Sequence, residues 1–498
     1  MTHLSSLPPG PRGLPWLGNL LQFERDTLGF LMDVQRRYGR LATIRYGQTP
    51  IVVLFEPEHI RYVLAERPQN FTNGGVAGGL VYGKLLRLAL MTKATARNAA
   101  GRLKEVVGPD GLITGDGEHH DRMRLLIQPA LSKRAVASSA EIITAHAEEL
   151  IRDWQADQLL DVVPEMRRLS LRVICTILVG KDLERELQPE FERIGAMLSD
   201  PGSLLESLLQ QLPFEPPFLP YGRRMSLRRT GEAAIDAVID RCAARAASGG
   251  DVVSSLLSAE HGDHRGLSRR QIRDGIVSLM AAGHETTTNT LAWAIYLLSL
   301  HPEVSQRVVR ELTEVLEGRS PTLDDLPRLL KLNQVIKESM RLYPAGWVQG
   351  RIPREDFSLD GYRIPAGTRL MLTQWVTQRH PDLWDDAGAF RPERWDPACP
   401  TKPPAWAYYP FGGGPRMCPG KSLNELEVQL VLVAVLQRFT PQRQSADAVQ
   451  PVPLLTLKPK RGIVVRLAPV DRARPQTSGT GRQHLGDPAS PQSVRAPS

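Results

Sequence analysis

Cysteine is scarce in this chain of 498 residues: only Cys175, Cys242, Cys399 and Cys418 occur. None stands close enough to another to suggest a disulfide framework or a zinc knuckle, and a reducing compartment fits. The N-terminus lacks a charged-then-apolar leader. Nowhere do about 18 apolar residues follow one another, and the run Leu291–Leu300 is too short to span a bilayer. We therefore expect a soluble, cytoplasmic protein without an integral membrane anchor. No cluster of Arg and Lys is interleaved with stacking aromatics, which sets nucleic acid aside as a partner. The formal charge of +8 is moderate and leaves an acidic protein or an acidic membrane surface open. No internal repeat is present. Apolar and charged residues, 42% and 23%, are those of an ordinary globular chain.

The patterning that remains is mostly helical. Leu7-Pro8-Pro9-Gly10-Pro11-Arg12-Gly13 is too rich in Pro and Gly for helix or sheet, and should lie extended, pinned by Trp16 and Leu17. An amphipathic helix is expected near Leu28–Tyr38, then two strands, Leu41–Tyr46 and Ile51–Phe55. Helical periodicity dominates from about residue 118 to 345. Gly361–Thr368 has a hairpin pattern, and Val452–Leu467 reads as a late strand pair. The fold class expected is mainly α with small β-sheets. Residues 1–470 form one domain, and 471–498, rich in Pro, Ser and Arg, form a disordered tail. Between Gly79 and Val107 six basic residues stand among Leu and Ala. That stretch reads as a solvated helical face, or as a membrane-touching or pocket-covering segment.

Two segments carry chemistry. Ser268 and Gln271 make a capping box before a long apolar-periodic run, predicting a helix from Arg269 to about Leu300, ended by Pro302. In its middle sits Ala282-Gly283-His284-Glu285-Thr286-Thr287. Small residues there would let a flat ligand, or a crossing helix, approach the backbone. Thr286 could donate to a bound ligand or to a carbonyl one turn back, and Glu285 could pass protons inward. A zinc-protease His-Glu-x-x-His is excluded, because position 288 is Thr. The second segment is Pro410-Phe411-Gly412-Gly413-Gly414-Pro415-Arg416-Met417-Cys418-Pro419-Gly420. Its glycines can turn backbone N–H groups toward the sulfur and leave room for a flat cofactor. Such donors keep a thiolate ionised.

That segment resembles, residue for residue, the Phe-x-x-Gly-x-Arg-x-Cys-x-Gly loop of the cytochromes P450, and Ala-Gly-x-Glu-Thr-Thr resembles the same family's oxygen-activating segment. The resemblance extends over about residues 7–468 and is to soluble, bacterial-type members. It implies the P450 fold and a haem b whose iron takes Cys418 as its thiolate ligand. It implies catalytic roles for Thr286 and Glu285 in proton delivery. It also implies cofactor contacts from His120, Arg124, Arg351 and Arg416 to the propionates. Glu338, Arg341 and Arg394 resemble the family's Glu-Arg-Arg triad and are assigned to structure, holding the Cys418 segment. One departure stands out: where the family has Ala, six residues after the cysteine, this chain has Asn424, which could bond the thiolate or a propionate.

The resemblance further implies a monooxygenase that hydroxylates or epoxidises an apolar molecule such as a terpenoid, fatty acid or polyketide. Ala345–Gln349, Leu454–Thr456 and Leu209–Tyr221 are the expected pocket walls. No reductase domain follows the haem domain, so electrons from NAD(P)H should arrive through a ferredoxin or flavodoxin with its reductase. Lys421 is a candidate on the docking surface of a monomer. A peroxygenase or rearranging enzyme of the same fold, and a non-catalytic haem-binding protein, are the alternatives. Retention of Glu285-Thr286 argues for dioxygen activation.

Overall fold

The computed structural model describes residues 7–73, 111–113, 115–199, 220–245, 251–258, 267–445 and 447–470. The basic stretch 79–107, most of the 209–221 wall and the tail 471–498 lie outside the described residues.

The longer helices are α1 (Thr27–Tyr38), α2 (Gly117–Ile127), α3 (Ala140–Ile151), α4 (Val162–Val179), α5 (Gln188–Ser199), α6 (Pro220–Ala244), α7 (Arg269–Leu300), α8 (Pro302–Leu316), α9 (Leu330–Leu342) and α10 (Lys421–Leu436). α7 begins where its capping box predicts: the Ser268 hydroxyl accepts from Gln271 N at 3.3 Å, and the Gln271 side chain accepts from Ser268 N at 2.8 Å. Two of the helix's free N–H groups are thereby satisfied. α7 ends at Leu300, as Pro302 marks, and Pro302 itself opens α8, since a first-turn proline needs no N–H partner. α7 is buried along most of its length and packs against α4, α9 and α10. The main core gathers Ile174, Met280, Trp293, Val335 and Val431 around it.

The sheets are small, as expected. The largest has five strands in the order β1-β2-β8-β5-β3: β1 (Leu41–Tyr46), β2 (Thr49–Leu54), β8 (Arg369–Leu372), β5 (Gln349–Pro353) and β3 (Phe71–Asn73). Only β2 and β8 run parallel; the other neighbours are antiparallel. Arg351 pairs with Leu370 on one side and Asn73 on the other, so three segments distant in sequence fix its place. The expected late strand pair is three strands. β10 (Pro451–Pro453) pairs with β11 (Leu457–Pro459). β12 (Val464–Pro469) instead lies between β4 (Leu159–Asp161) and β9 (Phe439–Arg443).

Two local expectations are corrected. The hairpin joins β6 (Phe357–Leu359) to β7 (Tyr362–Ile364), and its tip is Asp360-Gly361, at the start of the expected segment. Both tip residues have positive φ, 47° and 78°, the conformation a two-residue hairpin turn demands. Trp16 does not pin the N-terminal segment, for it is 81% exposed. Backbone bonds do so: Thr43 N donates to Pro9 O at 3.0 Å and Asn19 N to Arg45 O at 2.7 Å. Gly10 permits that approach, because a side chain there would overlap the Thr43 carbonyl.

Candidate active site

Cys418 sits between the short 3-10 turn Gly414–Arg416 and the start of α10. Its N–H donates to Phe411 O at 2.9 Å, closing the loop on itself. Enclosure of the sulfur pushes the thiol above its ordinary value, while the Gly420 N–H and the charge of Arg124 favour the thiolate. The glycines serve more than a cofactor. A Cβ on Gly413 would collide with the Trp406 ring, and one on Gly414, at φ 65°, with the Leu64 carbonyl. They let the loop press against the protein behind it.

Four cationic candidates converge on this loop. Arg416 donates to Gly115 O at 3.2 Å and pairs with Asp116, a residue the sequence reading passed over. Burial lowers the Arg416 pKa, with Asp116 acting against it. Arg351 is 8% exposed, and Gly350 O, at 2.7 Å, is its hydrogen-bond partner among the described residues. Burial pushes it down to about 10, and the neighbouring Arg416 charge adds to that. His120 is buried on α2 with Nδ1 2.9 Å from Asp121. Burial lowers its pKa, and Arg416 and Arg124 act in the same direction. Arg124, one helical turn further along α2, is half-buried. Asp116 is the main counter-charge here, and it is already engaged by Arg416. Burying guanidinium groups with so little compensation is costly. An iron-bearing macrocycle with acidic edge groups would satisfy both the cations and the sulfur, so the residues fit a haem.

The α7 segment resolves its alternatives position by position. At Gly283 the crossing helix takes the space: a Cβ would lie 2.9 Å from Ile174 Cδ1 of α4. The expectation that Gly283 opens the backbone to a cofactor is corrected. Thr286 donates to Ala282 O, Thr288 to His284 O at 2.7 Å and Thr290 to Thr286 O at 2.9 Å. Three successive back-bonds compete with the helical ladder at this point. The Thr286 hydroxyl oxygen accepts from no donor among the described residues.

Glu285 is not aimed inward unaccompanied; it forms an ion pair with Lys458 of β11. One turn on, Asn289 Nδ2 donates to Thr456 Oγ1 at 2.9 Å, and a further turn on Trp293 Nε1 donates to Leu457 O at 3.0 Å. One stripe of α7 is thus fastened to β11 and to the residue just before it. The expected walls 345–349 and 454–456 do meet, through Trp347 Nε1 to Leu454 O at 2.8 Å and Leu457 N to Ala345 O at 3.0 Å. Sequence reasoning missed Lys458, since nothing local marks a lysine on a short strand as the partner of a distant helix.

Among the described residues, Asn424 does not bond the sulfur. Its Nδ2 donates to Thr287 Oγ1 at 2.9 Å, tying α10 to α7. The triad is assembled as read. Glu338 and Arg341 are wholly buried; Arg341 donates to both Glu338 oxygens at 2.9 and 2.8 Å, and Arg394 Nε to Oε1 at 2.9 Å. Trp395 Nε1 and Arg391 N complete the shell of donors. Arg341 also donates to Gln378 O at 2.8 Å, and the Gln378 side chain accepts from Tyr409 N at 3.1 Å, at the entrance to the Cys418 loop. Hydrogen bonds therefore run from the triad to the loop.

With this arrangement in view, similarity to known proteins is informative. The cytochrome P450 family model matches residues 8–82 and 84–466. Pentalenene oxygenase of Streptomyces avermitilis is 30% identical, over 94% of this chain and 98% of its own. Cyclooctat-9-en-7-ol 5-monooxygenase of Streptomyces melanosporofaciens is also 30% identical, over 91% and 93% respectively. Among solved structures, retinoic acid-bound cyanobacterial CYP120A1 superposes with a TM-score of 0.76 at 25% identity, covering 94% of this chain and all of that one. Among the described residues no helix is long and apolar enough to cross a membrane. The chain belongs to the cytochrome P450 family and is a haem-thiolate monooxygenase.

Proposed function

We propose that Cys418 is the axial ligand of a haem b and that the chain oxidises a terpenoid, by hydroxylation or epoxidation. The observation that carries this reading is the half-compensated arginine cluster of Arg124, Arg351 and Arg416, with the imidazole of His120 beside it, at the loop that encloses the Cys418 sulfur. Bound there, the haem supplies dioxygen activation and oxygen insertion. The rest belongs to the chain. Arg416, Arg351, Arg124 and His120 hold the acidic edge. The Gly420 N–H and Arg124 keep the sulfur anionic. The Thr286 hydroxyl, its hydrogen committed to Ala282 O, accepts a hydrogen bond from water or ligand and positions it. Glu285 delivers protons toward Thr286 when it leaves Lys458.

The terpenoid assignment rests on the relatives' names, which denote an alkene and a cyclic alkenol. It also rests on apolar walls at Ala345–Gln349 and Leu454–Thr456. Electrons come from NAD(P)H through a ferredoxin or flavodoxin and its reductase, in the cytoplasm, to a monomeric P450. A docking face for an acidic partner is suggested by Lys133, Lys337 and Lys421, which surround Glu425, with Met417 40% exposed beside Cys418. Retention of Glu285-Thr286 favours this reading over peroxide-driven or rearranging chemistry.

The test compares product formation from NAD(P)H with redox proteins against product formation from peroxide alone. The electron-driven reaction should dominate, and Thr286→Ala should bind substrate normally while sending electrons to hydrogen peroxide. Equal or better turnover with peroxide, or unchanged coupling in Thr286→Ala, contradicts the reading.

A further inference from the structure

The face of α7 opposite its fastening to β11 borders a second cavity. It lies between α4 and α5, has a volume of about 330 Å³, and is floored by His284, Cys175 and Phe191. Leu171 of α4 and Gly195 of α5 extend its apolar wall. A water molecule takes a share of ~30 Å³ in the liquid, so this space holds many waters or one small organic molecule. Its size is at the lower end of ligand pockets.

One buried polar atom in it lacks a partner, and an exposed arginine stands on its wall. His284 is 3% exposed, and its Nε2 has no hydrogen-bond partner. Burial, then the charge of Arg167, pushes His284 down to about 4, so the imidazole is neutral. Arg167, on the cavity wall, has no ion-pair partner among the described residues. Its neighbours are engaged: Arg168 pairs with Glu165, Arg172 with Glu149 and Glu184, and Gln188 donates to Glu192 at 2.9 Å. A buried polar atom without a partner is unfavourable, and a ligand that bonds it removes that cost. The charge complement of a lone guanidinium is an anion, and the complement of the walls is a hydrocarbon.

We propose that this cavity is a second binding site, distinct from the haem pocket, for a small monocarboxylate with an apolar body. The carboxylate accepts from Arg167, the His284 Nε2–H donates to its second oxygen or to a hydroxyl, and the hydrocarbon lies against Leu171, Cys175 and Phe191. Such a ligand loads the same turn of α7 that carries Glu285 and Thr286.

Titration calorimetry with decanoate tests this on the holoenzyme, with the iron already occupied by an azole so that the haem pocket is closed to the probe. One equivalent should bind. Arg167→Gln, a change at an exposed position, should weaken decanoate at least tenfold and leave decan-1-ol unaffected. Leu171→Trp, which fills the cavity, should abolish both while the azole complex keeps its haem spectrum. No saturable binding to the wild type means the cavity holds solvent only and overturns the proposal. Decanoate affinity unchanged by both substitutions overturns it equally.

Discussion

Glu285 of α7 and Lys458 of β11 form an ion pair at the segment where proton delivery is proposed, with side chains 17% and 24% exposed. The Glu285 oxygen that faces the lysine is enclosed, so losing Lys458 leaves a buried acceptor unpaired, at a cost of about 1–3 kcal/mol. Asn289 and Trp293 would still hold the strand without it. Lys458→Met should therefore lose about 1–3 kcal/mol in denaturant unfolding, and no more. The share of electrons that reach product should nevertheless fall, because the carboxylate loses its fixed resting position. A large loss of stability with unchanged coupling would make the pair structural.

Glu338 is the opposite case. It is wholly buried between two arginines and accepts five hydrogen bonds. Glu338→Gln leaves two buried guanidinium groups without their anion, and removal of one partner from such a pair costs about 3–5 kcal/mol. Lower stability and lower haem retention should appear together, since the Gln378 link carries the disturbance to Tyr409. Stability within error of the wild type would refute the clamp.

Asn424→Ala separates the roles that the sequence left open. The Thr287 hydroxyl is buried and would lose its donor, a loss of about 1–3 kcal/mol. The ferrous–CO spectrum should not move, because the amide faces α7 and not the sulfur. A displaced band would place the amide on the thiolate.

Glu427 gives the folded state a pH dependence. It is fully enclosed on α10, and burial pushes its carboxyl from the ordinary 4.5 up to about 8, with the Ser170 hydroxyl acting in the other direction. The folded chain thus keeps a proton that the unfolded chain releases. Its contribution is complete below pH 4.5 and is lost as pH rises through about 8. The slope in that window reaches about 1.4 kcal/mol per pH unit. Glu427→Gln should flatten stability against pH between those values. An unchanged slope would mean that Glu427 is ionised in the fold.

Features written in short local patterns were legible before the fold was known. The capping box of Ser268 and Gln271 gave the start of α7, and helical spacing put Glu338 beside Arg341. The Cys418 loop and the His120–Arg124 turn were found in the same way, and the fold brings them together. Contacts that depend on where distant segments land were not legible. Lys458 reaches Glu285 only because β11 lies along α7. Gly283 reads equally well as room for a ligand or for Ile174, and only packing decides. Trp16 is apolar, yet a turn with positive φ carries it into solvent.

The most direct measurement is the ferrous–CO difference spectrum of the purified protein beside that of Cys418→His. Thiolate ligation from Cys418 predicts a strongly red-shifted Soret band in the wild type that disappears in Cys418→His. A wild type without that band, or a Cys418→His protein that retains it, contradicts the assignment of Cys418 as the iron ligand.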